Sequence, residues 1–74
     1  MFTDKKANSD TNPRFQLLDT VRLRESKYGI PGGSLGAIVE IYEDAYVVEF
    51  VDLEGNTYEQ SLAGTFHDAD LVKG

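Results

Sequence analysis

From Phe15 onward the chain runs in short apolar stretches that alternate with polar positions at a period of two. That period places successive side chains on opposite faces of a strand. In residues 19–24, Val21 and Leu23 point one way while Thr20, Arg22 and Arg24 point the other, which predicts a half-buried strand. Residues 35–42 (LGAIVEIY) and 45–52 (AYVVEFVD) are dense in β-branched residues and predict two further strands joined by a tight connection. In the second of these, Tyr46, Val48 and Phe50 share one face, and Val47, Glu49 and Val51 share the other. Glu49 marks that second face as the wetter one. In the first, strict alternation sets Ile38 and Tyr42 beside Glu40 on an outward face. The alternative is that so small a barrel curls enough to bury some residues of both faces. Glu40 and Glu49 lie on neighbouring strands within reach of each other.

Residues 57–62 (TYEQSL) alternate Tyr58, Gln60 and Leu62 against Thr57, Glu59 and Ser61, predicting a fourth strand. Residues 68–72 predict one helical turn followed by a closing fifth strand. Turn residues separate these elements. Pro31-Gly32 suits the central pair of a type II turn, and Gly55 can take the left-handed conformation of a hairpin. Five short strands with glycine-containing turns predict an all-β fold. At this size a small five-stranded barrel removes the open edges that a flat sheet would leave. The boundaries follow from the pattern: residues 1–13, polar and free of periodicity, are expected to be a flexible N-terminal tail, and residues 14–74 the barrel domain.

The chain has 74 residues and no cysteine, which removes disulfides, thiolate metal sites and cysteine nucleophiles together. No run approaches the roughly 18 apolar residues of a membrane span, and the N-terminus lacks the apolar core of a signal peptide. A soluble cytoplasmic protein is the expectation. Charge divides along the chain: residues 1–30 carry six Lys/Arg and four Asp/Glu, whereas residues 31–74 carry one Lys and nine acids. A strongly acidic region repels a phosphate backbone and suits a basic protein surface.

Candidate chemistry is sparse. His67 is the one histidine, in an expected surface turn, and reads as a loop residue more readily than as a base or ligand. Asp52-x-Glu54-Gly55-Asn56 is a fragment of a calcium loop, but a hairpin turn explains the same residues. The glycines of residues 29–36 lead into a strand, whereas a phosphate loop opens onto a helix. No enzymatic activity, cofactor or metal site is expected. Arg14, Arg22, Arg24 and Lys27 form the basic cluster, with Tyr28 close by, and are the candidate nucleic-acid contacts.

The run Phe15-x-Leu17-Leu18-Asp19-x-Val21-x-Leu23, the strand Gly36-Ala37-Ile38-Val39-Glu40-Ile41-Tyr42, and the run Tyr46-x-Val48-Glu49-Phe50-Val51-Asp52-x-x-Gly55 together resemble a bacterial family, domain of unknown function 4926. The resemblance extends over residues 15–72. It implies an SH3-like barrel. It also implies an antitoxin or immunity role, since some members are encoded beside small toxin-like proteins. The loop at residues 25–34 and the segment 63–67 depart from the family pattern. Gly36 ahead of an apolar strand is also similar to the KOW-type barrels of ribosome and transcription factors.

These readings combine into one expectation: a noncatalytic protein-interaction module, an antitoxin or inhibitor of a basic partner encoded nearby. Its expected contacts are Tyr28, Glu40, Tyr42, Val47, Glu49 and Val51. The alternative is a KOW-like module that meets RNA or a ribonucleoprotein through Arg14, Arg22, Arg24 and Lys27. Homodimerisation through an edge strand remains compatible with so small a core.

Overall fold

The computed structural model describes residues 14–74; the expected N-terminal tail, residues 1–13, lies outside them. The period-two segments form strands where the alternation predicts them: β1 (Thr20–Leu23), β2 (Leu35–Ile41) and β3 (Tyr46–Val51). The closing strand, β4 (Leu71–Lys73), follows a 3-10 turn at Asp68–Asp70. All pairings are antiparallel, and the sheet order is β3-β2-β1-β4. No described helix is long and apolar enough to cross a membrane.

The fold is therefore all-β, but with four strands in an open sheet among the described residues. The strand expected at residues 57–62, the fourth of the five, does not form. Thr57 makes a single bridge to Val51, and the chain then coils into a 3-10 turn, Glu59–Leu62. Ser61 supplies the reason. Its hydroxyl accepts the Phe50 N–H at 3.2 Å and donates to the Tyr58 carbonyl at 2.8 Å. A side chain thus occupies the β3 edge where a neighbouring strand would have put its backbone. Ser61, which the alternation groups with Thr57 and Glu59, is fully buried.

A second departure sits inside β2. The register pairs Ile38 with Val48 but Glu40 with Val47, so Val39 is an extra residue in a β-bulge. The bulge splits Ile38 from Glu40. Ile38 turns into the core and is fully buried, whereas Glu40 stays exposed. Ile38 is therefore not part of an outward patch. Nor do the two glutamates face each other, since Glu49 lies opposite Ala37.

The core lies on the inner face, where Val21, Leu23, Ile38, Val48, Phe50 and Leu71 of the sheet meet Phe15, Ile30 and Phe66 from the flanking segments. Each such apolar side chain contributes about 1.5–3 kcal/mol by leaving water. Aromatic rings join the parts edge to face. Phe50 and Phe66 lie 5.1 Å apart, and Phe15 and Tyr46 lie 5.6 Å apart. Gly36 is required beneath this layer. A Cβ there would come within 2.7 Å of the Phe50 ring and 2.9 Å of the Glu49 carbonyl.

The turns match expectation except for one shift. Ser34 N–H donates to the Pro31 carbonyl, and Gly33 has φ +88°, so the central pair is Gly32-Gly33 and Pro31 precedes it. Gly55, also at φ +88°, closes the β3 hairpin as expected. Asp52 completes that turn, its Oδ1 accepting the Glu54 and Asn56 N–H groups at 2.9 Å each.

Candidate functional site

The outer face of β2 and β3 carries the side chains that the core does not take. From β3 come Val47, Glu49 and Val51, all half-buried; from β2 come Leu35, Ala37, Val39 and Glu40. Cross-strand pairing fixes their arrangement: Val51 opposite Leu35, Glu49 opposite Ala37, Val47 opposite Glu40. Four of the expected contacts (Glu40, Val47, Glu49 and Val51) thus share one surface. A shallow, open hollow of about 320 Å³ lies between Thr20, Leu35, Ala37, Glu49 and Val51.

Glu49 is held in place. The Thr57 hydroxyl donates to its Oε2 at 2.8 Å, which orients the carboxylate and leaves Oε1 without a partner among the described residues. Asp52, just past the end of β3, sits below the usual carboxylate range, chiefly because the Asn56 N–H donates to it. The Glu54 and Asn56 N–H groups both donate to its Oδ1.

Tyr42 begins the β2–β3 connection, half-exposed, with its N–H donating to the Ala45 carbonyl at 2.8 Å. Tyr28 belongs elsewhere. Its ring meets Phe66 edge to face at 5.2 Å and its hydroxyl donates to the Thr65 carbonyl at 2.8 Å. Gly64 lies against that ring, where a Cβ would approach to 2.7 Å. These contacts tie Tyr28 to segment 64–66. With φ +56° at Tyr28 and +79° at Gly29, residues 27–30 form a tight reverse turn closed by paired Lys27–Ile30 hydrogen bonds.

The basic cluster is largely engaged within the molecule. Arg14 Nη1 donates to the Asp68 carbonyl at 3.3 Å and Arg24 Nε to the Ala69 carbonyl at 3.0 Å. Lys27 forms an ion pair with Asp70 at 2.8 Å. Burial works against the Asp70 charge, but Lys27 and the His67 N–H outweigh it and hold its carboxyl below the usual range. Three of the four cations therefore secure the 68–70 turn. Arg22 points elsewhere, its Nη1 donating to the Gly33 carbonyl at 3.1 Å. His67 Nδ1 lies 2.9 Å from the Asp44 carbonyl. Among the described residues no group of three or more His, Asp or Glu is placed to hold a metal ion.

Alternation along the sequence did not single out Leu35, Val39 or Leu53. The clearest available signal was Leu53, a leucine in the second position of a polar turn, where small or polar residues are the rule. It is fully exposed.

Comparison with known proteins bears on this same stretch. A family model described as domain of unknown function (DUF4926) matches residues 17–61, from ahead of β1 into the 3-10 turn at Glu59–Leu62. The chain belongs to this family. Searches of curated proteins and of solved structures return no match. The DUF4926 match takes in the whole β2–β3 face, while Phe15, Phe66 and Leu71 of the core lie outside it.

Proposed function

We propose that this DUF4926 chain is a noncatalytic module that binds a protein partner with a basic surface through the outer face of β2 and β3. The observation that carries this reading is the composition of that face. Leu35, Val39, Val47 and Val51 remain partly exposed around two carboxylates, Glu40 and Glu49. Aliphatic side chains beside fixed charges are what a protein interface needs, the first for burial and the second for orientation. The nine acids of residues 31–74 favour a basic partner. The narrower form of the reading is an inhibitor or antitoxin acting on a basic protein encoded nearby. We also read the fold as SH3-like, with the Tyr46–Phe66 and Val51–Thr57 bridges beginning to close the sheet beyond β3.

The test is an affinity pull-down of the tagged chain from its host, with and without nuclease. A small basic protein that survives nuclease is the expected result. Glu40→Lys with Glu49→Lys should then weaken its binding by more than about tenfold, a loss of about 1.4 kcal/mol or more. Parental affinity in that double variant would overturn the placement. Recovery of RNA or ribosomal proteins that vanish with nuclease would favour the RNA-binding alternative instead.

A further inference from the structure

Beyond the Leu35–Val51 pair, on the side away from Glu49, the surface opens into a groove of about 510 Å³. Pro31, Leu35, Val51, Leu53 and Tyr58 give it apolar walls, and Arg22 and Asp52 are its charged side chains. Leu53 stands fully in water beside this groove. A leucine held at a turn tip contributes nothing to the core, and its apolar surface is available to an incoming side chain.

The charges around the groove indicate what fits. Arg22 is partly spent on the Gly33 carbonyl. Asp52 is held below the usual carboxylate range chiefly by the Asn56 N–H, and the Glu54 and Asn56 N–H groups both donate to its Oδ1. On the far side of the Leu35–Val51 pair, Glu49 is likewise oriented through one oxygen only. A chain crossing that pair therefore meets Glu49 on one side and, within the groove on the other, Asp52.

We propose that the groove receives one large apolar side chain from an extended segment of a partner protein. That side chain is flanked on each side by a lysine or arginine, one pairing with Asp52 and one with Glu49. The proposal rests on the reading that the β2–β3 face binds protein, and it adds the form of the partner's contact. Opposite charges set around an apolar anchor supply register and selectivity where the anchor supplies affinity.

A phage-displayed library of random dodecapeptides, selected against the full chain, tests it. The expected enriched peptides carry Leu, Met or Phe between basic residues. Their binding should fall about tenfold or more with Leu53→Ser, whose side chain makes no core contact, and similarly with Glu49→Gln plus Asp52→Asn. Both amide replacements retain an acceptor for Thr57 and for the turn N–H groups. No enrichment, enrichment of peptides without basic flanks, or undiminished binding to Leu53→Ser would each overturn the proposal. So would a concentration-dependent dimer that protects the groove, because a second copy would then be its occupant. If a pulled-down partner is lost with the Glu40/Glu49 reversal yet kept by Leu53→Ser, the interaction face stands and the groove assignment alone falls.

Discussion

Replacing Tyr46 by phenylalanine isolates the contact that joins three parts of the molecule. The Tyr46 hydroxyl accepts the Arg14 N–H at 3.0 Å and the Phe15 N–H at 3.3 Å, and it donates to Asp68 Oδ1 at 2.6 Å. One side chain of β3 thus holds both the segment that enters the sheet and the 3-10 turn that leads into β4. Asp68 is exposed, so water replaces the lost hydroxyl there and recovers most of that contribution. The Phe15 N–H is buried, and leaving such a donor unpaired costs about 1–3 kcal/mol. Adding about 1 kcal/mol for the partly buried Arg14 N–H, the substitution should cost about 2–4 kcal/mol. A chain of this length has about 4–11 kcal/mol in all.

Urea unfolding followed by far-ultraviolet circular dichroism reads this as a lower midpoint at unchanged slope. Titration gives a second readout. Burial, and then the bond to Asp68, raise the Tyr46 hydroxyl above its ordinary value of 10.0. Its contribution is therefore fully present below pH 10.0 and is lost as pH climbs through the higher folded value. The parent protein should lose stability above pH 10 more steeply than Tyr46→Phe. A midpoint within about 0.5 kcal/mol of the parent, with identical alkaline profiles, would refute the assignment of Tyr46 as the anchor.

Two other substitutions test the frame. Gly36→Ala should destabilise by about 1–3 kcal/mol in thermal melts, because the added methyl must displace the Phe50 ring or the Glu49 backbone; a neutral result would mean that β2 and β3 separate more easily than their register implies. Asp70→Asn should flatten the acid limb of the stability curve. The lowered Asp70 value contributes fully above 3.8, the value it takes when unfolded, and its contribution fades as pH falls through the folded value. An unchanged acid limb would show that the Lys27 pair contributes little.

The inner rows Val21 and Leu23, and Tyr46, Val48 and Phe50, were legible from period two alone, because a residue's face in a regular strand depends only on its parity. Gly55 was legible too, since the need for positive φ is local. The DUF4926 resemblance rested on runs that contain those residues, together with the strand at Gly36–Tyr42. Three outcomes depended on partners distant in sequence. The bulge at Val39 turned Ile38 inward and left Glu40 outside, and parity cannot register an inserted residue. Ser61 capped the Phe50 N–H, and the strand expected at residues 57–62 became a 3-10 turn. Arg14, Arg24 and Lys27 converged on Asp68–Asp70, which follows them by more than forty residues. The groove formed by Pro31, Leu35, Val51, Leu53 and Tyr58 is likewise tertiary, because its walls come from separate segments that only the closed hairpins bring together. Local pattern determines which residues each strand offers to either face, while hydrogen bonds across the fold decide which of them remain available to a partner.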